Sequence, residues 1–127
     1  MAGFSNYLET KVLEHVFGGS AYTAPGTLYV ALFTAAPSDT GGGTEVSGGA
    51  YARQTAAFTV SGDTGSNTSA IEYATATADY GTVVAMGVFD ASTSGNLLAY
   101  GTLTTSKTVS NGDVFRFNAG AIDITLT

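Results

Sequence analysis

The sequence predicts an all-β chain: an antiparallel β-sandwich or jelly-roll-like domain with one short N-terminal α-helix. Three observations carry that expectation. The chain holds seventeen glycines, twenty threonines, seven Phe and seven Tyr, with no Cys and no Trp, which is β-branched and aromatic surface cut by turns. Near Thr27 the apolar period changes from a helical one to two, and it stays at two. About seven or eight short apolar runs then follow at roughly 8–12-residue spacing, the signature of a sandwich or small barrel. The 127 residues read as one domain, with a helix over 4–18 and the sandwich over 27–127. A chain of this length buries about two-thirds of its unfolded surface, enough for one core.

The helix comes first. Asn6-Tyr7-Leu8-Glu9 has the form of a capping box, with Ser5 as a competing cap. Phe4, Leu8, Val12 and Val16 recur at i+4 and predict a stripe docked on the sandwich, and Gly18-Gly19 stops the helix. Residues 28–34 are apolar on both faces, with Leu28, Val30 and Leu32 on one and Tyr29, Ala31 and Phe33 on the other, as in a strand covered on both sides. Residues 35–49 read as a long mobile loop with Pro37 and two glycine clusters. Strands are expected at 51–60, 71–77, 82–90 and 97–103, with turns at 61–67 and 92–96. Asn111-Gly112 predicts a hairpin between 107–109 and 114–117. The last strand alternates Ile122, Ile124, Leu126 inward with Asp123, Thr125 outward.

Charge excludes several function classes. Only 11% of residues are charged and the net charge is −6. Lys11, Arg53, Lys107 and Arg116 are scattered, so the cationic footprint of a nucleic-acid binder is missing. An acidic surface also repels anionic membranes, and no run approaches a membrane span of about 20 apolar residues. No signal peptide is expected at the N-terminus. Without cysteine there is no disulfide framework and no thiolate metal site. A low-charge surface of Thr, Ser, Ala and Gly suits contact with other copies, since few ions need desolvating.

The residues that carry chemistry elsewhere read here as turns and caps. Asp39-Thr40-Gly41 and Asp63-Thr64-Gly65 repeat the triplet of the aspartic protease dyad, but each follows turn residues instead of an apolar strand. His15, the one histidine, lies near the helix C-terminus, and no Gly-x-Ser-x-Gly elbow accompanies it. The glycine clusters fit neither a dinucleotide nor a phosphate loop. Asp63 with Asn67, and Asp90 with Asn96, lack the spacing of a calcium loop. Asn67-Thr68-Ser69 is a formal glycosylation acceptor. The expectation is no catalytic residue, no metal and no cofactor. The tyrosines suit a core, a protein interface or a sugar-stacking surface.

Several stretches together resemble a known family. Phe4-Ser5-Asn6-Tyr7-Leu8-Glu9, Val16-Phe17-Gly18-Gly19, residues 28–37, Gly42-Gly43-Thr44-Glu45-Val46, Tyr51-Ala52-Arg53, Gly87-Val88-Phe89-Asp90-Ala91 and Phe117-Asn118-Ala119-Gly120 are similar to small virion structural proteins of tailed bacteriophages. Members usually carry tail-fibre or structural-protein labels, and a role in decorating the capsid suits the size equally well. The resemblance implies a non-enzymatic virion protein, assembled in the bacterial cytoplasm and contacting the major capsid protein or other virion proteins. Capsid decoration (a cement role) is the first expectation from size, with a homotrimer as the assembly. A tail or tail-fibre adaptor is the alternative, and a carbohydrate-binding sandwich a remoter one. Phe4, Tyr7, Asp39, Glu45 and Tyr51 are the candidate interface residues.

Overall fold

In the computed structural model, which describes residues 2–126, the chain runs through β1 (Gly3–Phe4), α1 (Asn6–Val16), β2 (Leu28–Ala35), β3 (Thr44–Glu45), β4 (Gln54–Ala56), β5 (Phe58–Ser61), β6 (Thr64–Asn67), β7 (Ile71–Glu72), β8 (Gly81–Phe89), β9 (Leu97–Val109), β10 (Arg116–Phe117) and β11 (Asp123–Thr125). The main sheet has the order β1-β9-β8-β2-β3, with β4 also on β2; a three-stranded sheet β11-β6-β5 and a ribbon β10-β7 lie apart from it. The named strands all pair antiparallel. This is the all-β sandwich with a short N-terminal helix that the sequence predicts. Among the described residues no helix is long and apolar enough to cross a membrane.

β2 is apolar from Leu28 to Phe33 because it has a covered face on each side. Val30 and Leu32 join the main core with Val83, Met86, Val88, Ile71, Tyr73, Phe115, Phe117 and Ile122, while Ala31 and Phe33 form a second cluster with Ala85, Val84 and Phe89. The period of two would put Val83 and Ala85 on one face. A register shift between them instead sends Val83 to the main core and Ala85 to the second cluster, as a β-bulge does. Opposite that shift β9 accommodates four residues: Val83 pairs Lys107 and Ala85 pairs Thr102. Tyr73 anchors the main core. It is stacked on Tyr51 at 6.1 Å, meets Phe115 and Phe117 edge-on, and donates its hydroxyl proton to the Val30 carbonyl at 2.7 Å.

Several sequence expectations are corrected. The helix spans Asn6–Val16, not 4–18, because Ser5 is the N-cap. Its hydroxyl accepts from the Leu8 N–H and donates to the Leu97 carbonyl, and Phe4 before it is already paired to Ala99 in the main sheet. The stripe is covered only in part: Phe4, Leu8 and Val12 are half-buried, while Val16 is exposed and α1 has no fully buried residue. The 61–67 segment is a turn only at Gly62-Asp63; β6 pairs back on β5 as a two-residue hairpin, with Gly62 at φ 63 where such a loop needs glycine. The Asn111-Gly112 turn is present, with Asp113 N–H on the Ser110 carbonyl, but Arg116–Phe117 pairs Ile71–Glu72 and not the strand before the turn. Only Ile71–Glu72 of the 71–77 run is strand. Inward alternation at the C-terminus holds for Ile122 and fades to a half-exposed Leu126. The 35–49 segment is not featureless: Ser38 and Gly41 form a bridge and β3 pairs β2.

Candidate functional site

The long edge of β2 organises the site. β4 covers Leu28 to Val30 and β3 covers Phe33 and Ala35, which leaves Leu32 between them. Its N–H donates to the Tyr51 hydroxyl at 3.0 Å and its carbonyl accepts from Val46 N–H at 2.9 Å. The 46–53 segment can therefore leave the sheet without orphaning a strand group. The same Tyr51 hydroxyl donates to Glu45 Oε2 at 2.7 Å.

Glu45 and Arg53 form the strongest charge pair. Arg53 grips both carboxylate oxygens, Nε to Oε2 and Nη2 to Oε1, each at 2.9 Å. Its Nη1 donates to the Ala91 carbonyl at 3.0 Å and the Ser94 carbonyl at 2.8 Å, and its guanidinium lies 3.8 Å from the Phe89 ring centroid. The Arg53 side chain is only 7% exposed, so this fork is the type of pair that holds a buried cation. Burial pushes the Glu45 carboxyl up, but the hydrogen bonds from Arg53 and Tyr51 and the guanidinium charge outweigh it and hold its pKa below the ordinary value. Burial first, then the bond to Glu45, raises the Tyr51 phenol well above its usual range. One residue thus ties β3, the 46–53 segment and the turn between β8 and β9 together.

Beside this pair lies an open groove of about 640 Å³, walled by Asn6, Tyr7, Asp39, Glu45, Arg53 and Asn96, with Phe33 and Phe89 as floor. Phe33 and Phe89 stack at 6.2 Å over Gly87. A Cβ there would sit 2.9 Å from Leu97 Cδ1 and 3.0 Å from Phe33 Cε1, so a larger residue would push Leu97 and the rings of this floor aside. The Asp39 carboxylate accepts from the Tyr100 hydroxyl, and its carbonyl accepts from the Asn6 N–H at 3.0 Å, which fixes the 38–41 turn to the start of α1. That bond, ahead of burial and the nearby Asp39 and Glu9 charges, raises the Tyr100 phenol. Gly43 completes the wall at φ 74, where a Cβ would meet the Ala35 carbonyl at 2.6 Å.

Tyr7, Asp39 and Glu45 of the sequence-derived candidates therefore meet at one groove, with Tyr51 behind Glu45. Phe4 does not join them and lines a separate apolar groove with Leu28, Phe58, Val60, Ile124 and Leu126. Arg53, Tyr100, Phe89 and Asn96 were not foreseen. Arg53 had a signal: it is one of four cations and lies eight residues from Glu45 in a charge-poor chain. Tyr100 had none, since it meets Asp39 only through the fold. The two Asp-Thr-Gly triplets lie apart: Asp39 lines the polar groove and Asp63 the apolar one. His15 accepts the Tyr22 N–H on Nδ1 at 3.0 Å and so pins the chain after the helix. Asp90 receives the Asn96 N–H at 2.8 Å and the Asn96 side-chain amide at 2.9 Å, closing its turn. Asn67 is 2% exposed; its amide donates to the Ser69 and Asn118 carbonyls and its Oδ1 accepts from Ile122 N–H. Its side chain serves neither as a glycan acceptor nor as a cation ligand in this fold.

The model of the Gp80 family, described as podophage GP4 fiber I protein gp80, matches residues 3–125. The chain belongs to this family. The match spans nearly all the described residues, so the helix, the sheets and the polar groove fall within the matched stretch. It identifies a small tailed-phage virion protein carrying a fibre label, as the resemblance of the sequence implied. No curated protein matches the chain significantly.

Proposed function

We propose that this chain is a non-enzymatic structural component of the phage tail, a fibre or fibre-associated adaptor, and that its partners are other virion proteins. The observation that carries the reading is the fibre-family match over residues 3–125. The site chemistry supports it. The densest cluster of titratable groups spends its hydrogen bonds internally: Glu45 on Arg53 and Tyr51, and Arg53 on Glu45, Ala91 and Ser94. A general acid or base needs a proton it can give to or take from substrate, and this cluster is a brace. Capsid decoration fits the size and the sandwich equally, yet the family's description speaks of a fibre.

Electron microscopy of virions labelled with an antibody to this chain separates the two locations. Label on the tail is expected. Label distributed over the head faces would replace the fibre reading with decoration. Asp39→Asn and Asp63→Asn should leave infectivity nearly unchanged, and loss of infectivity with an intact fold would reopen a catalytic role.

A further inference from the structure

Hydrogen bonds inside the fold leave a defined remainder on the walls of the polar groove. Asp39 accepts from the Tyr100 hydroxyl on Oδ1, so Oδ2 is left to accept elsewhere. The Asn96 side-chain nitrogen donates to Asp90 Oδ2 at 2.9 Å, which fixes the amide and leaves its Oδ1 as an acceptor. Four of the five Arg53 N–H donors are engaged, on Glu45, Ala91 and Ser94, and one on Nη2 is left over. The Asn6 amide and the Tyr7 hydroxyl can each donate and accept, and they line the groove without a partner among the described residues. Beneath these walls lies the aromatic floor of Phe33 and Phe89, with Phe89 half-buried. The volume of about 640 Å³ falls within the roughly 300–1,000 Å³ of small-molecule sites.

We propose that this groove binds a neutral saccharide, with the C–H face of a sugar ring on Phe89 and its hydroxyls on the surrounding side chains. The remainder on the walls is mixed, and that selects the ligand. The charged lining residues are Asp39, Glu45 and Arg53. An anion would meet Asp39 Oδ2 and Asn96 Oδ1, which only accept. An organic cation would pair with Asp39, yet it would meet the Arg53 charge and leave the last Arg53 N–H without an acceptor. A hydroxyl both donates and accepts, so it answers either kind of wall. A pyranose adds an apolar C–H face for an aromatic floor, ringed by hydroxyls for polar walls. A peptide amide is mixed as well, but an extended peptide is held by a row of backbone groups along a strand edge. Here Asn6 and Tyr7 come from the start of α1, Asp39 from the 38–41 turn and Asn96 from the turn between β8 and β9. The walls are set before the ligand arrives: the Asn6 N–H donates to the Asp39 carbonyl at 3.0 Å, the Asn96 N–H donates to Asp90 Oδ1 at 2.8 Å, and Arg53 is held by its fork on Glu45. The groove is open, so one ring should bind with a Kd of about 1–10 mM, and many copies displayed together would raise the avidity. This inference goes beyond the structural role proposed above and does not depend on where in the virion the chain sits.

Amide-resolved NMR of the purified chain tests it. The probes are the methyl glycosides of glucose, galactose, mannose, rhamnose and N-acetylglucosamine. Inorganic phosphate, ethylammonium and a capped alanine tripeptide represent the competing chemistries. At least one glycoside is expected to shift the amides of 41–43 and 94–96 with a Kd of about 1–10 mM, while the other three probes leave them in place. Asn6→Ala and Tyr7→Phe remove wall groups that hold nothing in the fold, so each should weaken that Kd about fivefold with an unchanged melting temperature. If one of them melts early, the other decides. Failure of every glycoside to move these amides overturns the proposal. So does a response to phosphate, ethylammonium or the tripeptide alone, and so do glycoside shifts that the variants leave at full strength. The readout is the isolated chain, so its outcome is separate from where an antibody label falls on the virion.

Discussion

Two polar residues carry disproportionate weight at the residue scale. Glu45 neutralises a cation that is 7% exposed, and removing one partner of such a pair strands the other charge. Glu45→Gln should cost about 3–5 kcal/mol in denaturant melts. The carboxyl's pKa is depressed in the fold, so its contribution is complete above the ordinary value of 4.5 and is lost as pH falls below it. The wild type should therefore lose stability more steeply than Glu45→Gln as pH drops below 4.5. Equal slopes would show that other carboxylates dominate. Asn67 is the second such residue. Its side chain answers the Ser69 and Asn118 carbonyls and the Ile122 N–H, and an unsatisfied buried group costs about 1–3 kcal/mol. Asn67→Ala should cost about 3 kcal/mol or more, whereas Thr68→Ala, on an exposed neighbour, should cost under about 1 kcal/mol.

At the scale of the element, α1 is held by its N-terminal end. Ser5 is buried and serves both the Leu8 N–H and the Leu97 carbonyl, while Leu8 on the stripe is only half-buried. Ser5→Ala should destabilise by about 1–2 kcal/mol, from loss of the cap and an unpaired carbonyl. Leu8→Ala should cost less than the roughly 2–5 kcal/mol of a core leucine. If the urea midpoints rank the other way, the helix is packed by its face after all. The helix also shows what periodicity conveys. An i+4 stripe says that a face is apolar, and it does not say whether the covering surface belongs to the same chain. Asn111-Gly112 teaches a similar lesson for strands: the dipeptide supplies a turn, but pairing of the flanks depends on which edges are free, and Ile71–Glu72 offered one.

The whole molecule is bound together by aromatic residues between layers. Tyr73 touches Tyr51, Phe115 and Phe117, and its hydroxyl reaches the Val30 carbonyl of the main sheet. Burial raises the Tyr51, Tyr73 and Tyr80 phenols above their ordinary value of 10.0. A raised phenol pKa contributes stability that is fully present below pH 10 and is lost as pH climbs towards the folded value. A spectrophotometric titration should thus show Tyr51 and Tyr73 ionising only with cooperative unfolding. Smooth ionisation of all seven tyrosines without loss of the circular dichroism signal would contradict a core sealed by Tyr73.

The amino-acid sequence by itself determined the class of fold, because composition and period are local properties: β-branched and aromatic runs cut by glycine form pleated strands wherever they pair. Its apolar 28–34 run made β2 a strand with two covered faces, and its collective resemblance pointed to the phage family. Tertiary structure alone decided what lies beside what. The shift at Val83 and Ala85, the meeting of Tyr100 with Asp39 and of Arg53 with the 91–94 turn join residues far apart in the chain. No local pattern encodes such contacts, since they depend on strand order and register. The same reason governs the interface. Exposure is a property of the assembled layers, so the separation of Phe4 from Tyr7 and Asp39 into two grooves became visible only once the sheets were stacked.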